Sequence, residues 1–212
     1  MIFPNKIKEI INNLSIKEIT DYHVSGDVVF NIENTYILKV SSNIKQLKHE
    51  KEMNDFLIDN LPVCKSVHFE IYNDKAYYLK TYIDGEPLCI DKYLKDPIKL
   101  AKLLAKAMKM VHFEKDGKVL IHGDFCLPNI LVKDDKIVGI IDTCHAEFND
   151  PWIDYAWCIW SYEYNLKTNI YTPILLKELN IEFDLEKYNK YVKKDDGLKF
   201  LSSFFCFYKK RI

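Results

Sequence analysis

Three side chains in the middle of the chain have the types and spacing for phosphoryl chemistry. Asp124 is followed five residues later by Asn129 and thirteen residues after that by Asp142. Two carboxylates and an amide offer oxygen donors, the set taken by a hard divalent cation such as Mg2+, with phosphate and water oxygens completing its shell. With Asn129 and Asp142 as metal ligands, Asp124 is left to accept the proton of an incoming hydroxyl. The surrounding sequence indicates how they are held. Val119 to Ile121, Ile130 to Val132 and Ile137 to Ile141 are short apolar runs bounded by Gly, Asp and Pro. That is the pattern of short buried strands, with Asp134-Asp135 as a turn between the last two.

His122-Gly123-Asp124, Asn129 at its fixed spacing and Ile140-Ile141-Asp142 together resemble the catalytic and metal-binding segments of the aminoglycoside phosphotransferase family, a branch of the kinase-like superfamily. Asp150-Pro151-Trp152-Ile153-Asp154-Tyr155-Ala156 resembles the segment that follows them in that family. The resemblance implies an α+β, bilobal protein-kinase-like fold. Residues 1–82 would form a nucleotide-binding lobe, an antiparallel sheet with one main helix, and residues 83–212 a mostly helical catalytic and substrate lobe. It also implies transfer of a phosphoryl group from ATP or GTP, with Mg2+, to a small-molecule hydroxyl. Asp124 would be the base, Asn129 and Asp142 the metal ligands, and His122 and Asp154 braces for the loop.

In the first lobe, Ile7, Ile10, Ile11 and Leu14 have helical spacing within residues 4–19. Tyr22 to Phe30 and Thr35 to Val40 read as a hairpin turned at Glu33-Asn34. Ser25-Gly26 lies where kinase-like enzymes cover the nucleotide phosphates, although a single Gly also suits an ordinary turn. Lys39 sits in an apolar run, where a lysine requires a reason. The resemblance makes it the ligand of the phosphates, held by a Glu of the helix from Ile44 to Asp59; a snorkelling edge-strand lysine is the alternative. Glu50 and Glu52 are the candidate partners, and His49-Glu50-Lys51-Glu52-Met53 matches the family best with Glu50 in the role. Leu61 to Phe69 also resembles the family. Strands from Val67 to Tyr72 and Lys75 to Tyr82, turned at Asn73-Asp74, then reach a hinge at Thr81 to Ile83. There the purine would bind backbone, with Ile141 as the floor of its site.

The second lobe departs from the family. A long helical insert commonly separates hinge and catalytic loop, but here Gly85 to Val119 leaves room for a short helix near Asp91 to Lys95 and a longer one from Pro97 to Phe113. After the aromatic helix from Trp152 to Glu163, members that bind cationic sugars tend to carry adjacent acids, and this chain has Tyr164-Asn165. Asp195-Asp196 resembles the C-terminal acidic pair that grips amines, and equally fits a solvated turn; Phe204 to Tyr208 fits an amphipathic helix. A metabolite kinase for an amino alcohol, sugar or nucleoside, and a nucleotide-binding module without turnover, are the competing readings.

The chain has 212 residues, 48% of them hydrophobic and 29% charged, an ordinary globular composition. Its 30 basic and 31 acidic residues, net charge -1, argue against a nucleic-acid partner bound through bulk electrostatics. Arg211 is the only arginine, so bidentate anion recognition falls to lysines and backbone N–H groups. The six cysteines form no C-x-x-C pair and read as reduced thiols. With no long apolar segment or leader pattern, no membrane partner and a cytoplasmic location are expected.

Overall fold

The computed structural model describes residues 3–19 and 27–192. Strands β1 (Ile16–Ile19), β2 (Val28–Ile32), β3 (Tyr36–Ser41), β4 (Ser66–Tyr72) and β5 (Lys75–Thr81) form one antiparallel sheet in the order β1-β2-β3-β5-β4. The β2–β3 and β4–β5 hairpins close on Glu33-Asn34 and Asn73-Asp74, whose positive φ values of 49°, 51°, 48° and 58° match the twist of the flanking strands.

Alternation across these strands separates a greasy face from a working face. Leu38, Val40, Tyr77 and Leu79 bury Ile7 and Ile11 of helix α1 (Asn5–Ile10) and its following turn. Ala76 and Tyr78 face the other way, against Leu47 of α2 (Ile44–Leu57). Lys39 lies opposite Tyr78 in the β3–β5 register, and Lys80 is two residues beyond Tyr78. Both lysines therefore point to the α2 side.

Residues 4–19 are not one helix. The apolar stripe packs as expected, but Asn13 adopts a left-handed conformation (φ 65°) that ends the helical path, and Ile16–Ile19 pairs with β2 as an edge strand.

Beyond Thr81 come β6 (Glu86–Pro87), α3 (Asp91–Leu94), α4 (Pro97–Val111), β7 (Glu114–Lys115), β8 (Lys118–Ile121), β9 (Ile130–Lys133), β10 (Lys136–Ile140), β11 (Glu147–Asn149), α5 (Trp152–Leu166), α6 (Thr172–Leu179) and α7 (Leu185–Tyr191). The Asp96 side chain caps α4 by accepting from the Lys99 N–H at 3.0 Å, and Pro97 occupies its first turn. Leu100, Leu104, Ala107, Met108 and Val111 then pack against Cys158, Ile159 and Tyr162 of α5 and Leu175 of α6. Two small sheets, β10-β9-β6 and β11-β8-β7, hang on this core and carry the loop from His122 to Asn129 between β8 and β9. Between Gly85 and Val119 the chain holds only α3, α4 and short strands.

Ser25, Gly26, Asp195, Asp196 and the segment from Phe204 to Tyr208 lie outside the described residues. Cys64, Cys89, Cys126, Cys144 and Cys158 are buried, and among the described residues none of them forms a disulfide. Among the described residues no helix is long and apolar enough to cross a membrane.

Candidate active site

Glu50 of α2 is fully buried, and a buried carboxylate persists only when paired. It receives the Lys39 ammonium on Oε2 at 3.0 Å and the Lys80 ammonium on Oε1. Lys39 also bonds Asp142 Oδ1 at 2.9 Å and lies 3.7 Å from Asp27 Oδ2. Glu52, the other candidate, is at the surface beside Lys48. Burial pushes the Glu50 pKa upward, and the two lysines outweigh it to leave the value lowered. Burial likewise opposes the charge on Lys39, but Asp142 and Glu50 hold its pKa well above the ordinary lysine value. Asp142 is depressed well below the usual carboxylate range, its burial outweighed chiefly by Lys39. These groups are charged at neutral pH.

Asp142 follows β10 in a left-handed conformation, φ 62° and ψ 50°, a strain that an Asp tolerates better than most residues. The segment after it is fastened to α2. Thr143 Oγ1 donates to Asn54 Oδ1 at 2.9 Å, His49 Nε2 meets the Ala146 carbonyl at 2.9 Å, and Gln46 Nε2 lies 3.1 Å from His145 Nε2.

The catalytic loop is held mostly through its backbone. Asp154 of α5, fully buried, accepts the His122 and Gly123 N–H groups, each at 2.8 Å, and meets His112 Nε2 at 2.9 Å. His122 Nδ1 accepts the Asp124 N–H at 3.3 Å, while its Nε2 faces the Ile141 carbonyl at 2.9 Å. A backbone N–H only donates and a carbonyl only accepts, so His122 is neutral with its proton on Nε2. Gly123 has φ +78°, and a Cβ there would run into the carbonyl oxygen of His145. The bracing expected of His122 and Asp154 is thus what their contacts provide.

Asn129 Nδ2 donates to the backbone carbonyl of Asp124 at 2.9 Å and to Asp124 Oδ2 at 3.1 Å. The carbonyl partner fixes the amide orientation, because it can only accept. Asn129 Oδ1 is therefore turned away from Asp124, and both Asn129 and Asp142 line the same cavity. Two hard oxygen donors on one wall fit Mg2+, which commonly takes one or two protein oxygens together with phosphates and water.

That cavity, of about 310 Å³, runs between the sheet and the catalytic loop. Val29, Ile37, Leu131 and Ile141 give it apolar walls suited to a flat base, and Lys39, Lys80, Asn129 and Asp142 form its polar end. Ile83 lines it. Thr81 does not: its N–H donates to the Lys65 carbonyl and its hydroxyl accepts the Lys65 N–H, both at 2.9 Å, while the Tyr82 N–H is taken by Thr35. Thr81 is tied to Lys65 and is not among the residues that line the cavity. Lys80 was not anticipated from sequence; the available signal was its parity with Tyr78 on a strand otherwise buried.

On the other side of the loop stands α5. Ser161 Oγ accepts the Leu127 N–H at 3.1 Å. On the neighbouring stripe Trp160 stacks on Tyr164 with centroids 4.8 Å apart and planes at 12°, and Trp157 meets Trp160 edge-on at 5.8 Å.

Comparison with known proteins agrees with this architecture. Residues 89–177 match the family model described as phosphotransferase enzyme family. An aminoglycoside 3'-phosphotransferase of Enterococcus faecalis is 25% identical, with 77% of this chain and 85% of that protein covered; one of Staphylococcus aureus gives the same figures. The alignment runs over 225 positions yet draws on only 77% of a 212-residue chain, so the relative carries residues that this chain lacks. An aminoglycoside phosphotransferase of Streptomyces rimosus superposes with a TM-score of 0.73 at 14% identity, covering 87% of this chain and 93% of that one. Its structure in complex with ADP and streptomycin gives 0.71. The fold is thus that of these kinase-like phosphotransferases, and residues 89–177 carry the match to the phosphotransferase enzyme family.

Proposed function

We propose that this protein transfers the γ-phosphoryl group of ATP or GTP to a hydroxyl of a small molecule, with aminoglycosides as the first acceptor class. The observation that carries the reading is Lys39, on one strand, bonded at once to Glu50 of α2 and to Asp142 beyond β10, in the cavity that Asn129 also lines. We place the division between nucleotide lobe (1–82) and catalytic lobe (83–212) at the hinge. The base would lie among Val29, Ile37, Leu131 and Ile141, with the Ile83 N–H as donor to it, since those of Thr81 and Tyr82 are engaged elsewhere. Ser25 and Gly26 are retained as candidates for covering the phosphates.

Mg2+ held by Asn129 and Asp142 would supply charge neutralisation at the phosphates. Lys39 orients them, and Asp124 orients the acceptor hydroxyl and accepts its proton. The acceptor oxygen bonds to the γ-phosphorus as the bridge from phosphorus to the β-phosphate oxygen breaks, giving a phosphate monoester and a nucleoside diphosphate. Because this transition state is loose, positioning and charge supply most of the catalysis.

A second reading, a kinase for an amino alcohol, sugar or nucleoside, is favoured by the aromatic stripe of α5, where Tyr164 and Asn165 take the place of acids. Asp195 and Asp196 remain candidates for the cationic-acceptor reading. Nucleotide consumption measured with Mg2+ across aminoglycosides, amino alcohols, sugars and nucleosides decides between them. Turnover should depend on Asp124. Tight nucleotide binding without turnover on any acceptor would leave a binding module and overturn the transfer reading.

A further inference from the structure

Lys80 has no part in the reaction just described, yet it stands in the wall of the nucleotide cavity. Only 6% of it is exposed. We propose that Lys80 is a positioning residue for phosphoryl transfer: its ammonium clamps Oε1 of Glu50 while Lys39 takes Oε2, so that Glu50 keeps Lys39 aimed at the phosphates once Asp142 turns to a metal. This rests on the nucleotide-site reading above.

The register makes the clamp possible. Lys39 on β3 pairs with Tyr78 on β5, and Lys80 lies two residues further on the same face, so both ammonium groups reach one carboxylate from adjacent strands. The stem of Lys80 passes the Tyr78 ring, its ammonium 5.4 Å from the centroid. Tyr78 is itself fixed by the Asn54 amide at 3.0 Å and by Ser66 Oγ at 2.8 Å.

Charge accounting gives the clamp its purpose. Lys39 is shared between Glu50 and Asp142 and must also serve an incoming polyphosphate. With Lys39 as its sole partner, the buried Glu50 would lose compensation whenever Lys39 leaned toward the phosphates, and a buried carboxylate deprived of its cation is strongly unfavourable. A second cation removes that conflict. Burial works against the charge on Lys80, and Glu50 outweighs it, raising its pKa above the ordinary lysine value. The groups facing Glu50 are then Lys39 from β3, Lys80 from β5 and Asp142 from beyond β10, with the protonated thiols of Cys64 and Cys144 nearby.

The test is a double-mutant cycle read with two ligands, MgATP and adenosine. Lys80→Met should weaken MgATP about tenfold and leave adenosine within about twofold, because only the phosphates depend on Lys39. Glu50→Gln should do the same, and the double variant should be no worse than Glu50→Gln alone, since Lys80 acts through Glu50. Lys80→Arg should recover most of the affinity that Lys80→Met loses. Additive losses, the signature of direct contact between Lys80 and phosphate, would overturn the proposal, as would equal losses for adenosine and MgATP. Should Lys80→Met not fold, the double variant, which removes both charges together, carries the same comparison with Glu50→Gln. A folded wild-type protein that binds neither ligand would remove the nucleotide-site reading and this proposal with it, a result distinct from additivity.

Discussion

The two sides of the catalytic loop are made of different materials. On the side of the cavity, Lys39, Lys80, Glu50 and Asp142 form an ionic network in which each charge is paired with another. On the α5 side stand Trp157, Trp160 and Tyr164, an aromatic stripe at helical spacing, where the proposed function would seat the acceptor. Removing one member of the first leaves a buried charge without its counterpart, which is costly to the fold itself. Removing one ring from the second forfeits ring contacts without leaving a buried carboxylate or ammonium of that network unpaired. A triphosphate is the same in every nucleotide, so its site can be rigid; acceptors differ, and an aromatic wall can change without endangering the lobe beneath it.

The sharpest way to break this division is Asp124, which stands between the two sides. Asp124→Asn should lower kcat by about 10²–10⁴, the usual worth of a general base, while the nucleotide dissociation constant stays within about twofold. A variant with undiminished kcat would show that the proton goes elsewhere. Next in size is Gly123→Ala. It would impose a side chain on φ +78° and press a methyl group into the His145 carbonyl, at a cost of at least about 2 kcal/mol in unfolding free energy. An unchanged denaturant midpoint would mean that the loop relaxes freely and is less tightly braced than its contacts indicate.

Thr143→Val probes the fastening of α2 to the Asp142 segment. It removes the donor to Asn54 Oδ1, a buried acceptor whose amide also holds Tyr78, and about 2 kcal/mol should be lost with it. Because Asn54 lies one helical turn beyond Glu50, the same variant should loosen MgATP more than adenosine. Equal effects on both ligands would detach this polar network from the phosphate end of the cavity.

What could be read from the sequence was what is local. Asp124 and Asn129 share one loop, and the five-residue spacing that marks them in the sequence is short enough for the Asn129 amide to bond Asp124 directly. Lys39 and Glu50 are eleven residues apart, on a strand and the helix that follows it, where a lysine in an apolar run needs a carboxylate. Lys80 escaped because its meaning depends on the pairing of β3 with β5, a register between strands about forty residues apart in sequence. Within Lys75–Thr81 alone it looks like the polar end of a strand. The helix expected over residues 4–19 failed for the opposite reason. Its apolar spacing is genuine as far as Leu14, but periodicity is silent about the left-handed turn at Asn13 and about the neighbour that recruits Ile16–Ile19 into a sheet. At the expected hinge, the Thr81 N–H and hydroxyl are both spent on Lys65, a pairing between distant segments that the local sequence does not announce.

The smallest expected effect bears most directly on the acceptor. Trp160 stacks on Tyr164, and the next residue, Ser161, touches the catalytic loop through the Leu127 N–H. An aromatic face attracts an alkylammonium group or the apolar face of a sugar or base, worth about 1–2 kcal/mol when partly desolvated. Trp160→Ala should therefore raise the KM for the acceptor by about tenfold, with kcat and the nucleotide dissociation constant nearly unchanged. Charge-based recognition predicts another result: an acceptor gripped by carboxylates would be indifferent to Trp160 and would lose affinity with rising salt, because exposed ion pairs are screened. Measuring acceptor KM for wild type and Trp160→Ala at low and high salt separates the two. A salt-insensitive KM that depends on Trp160 places acceptor recognition on the aromatic wall. A salt-sensitive KM indifferent to Trp160 would abolish the contrast between the two sides and make both ionic.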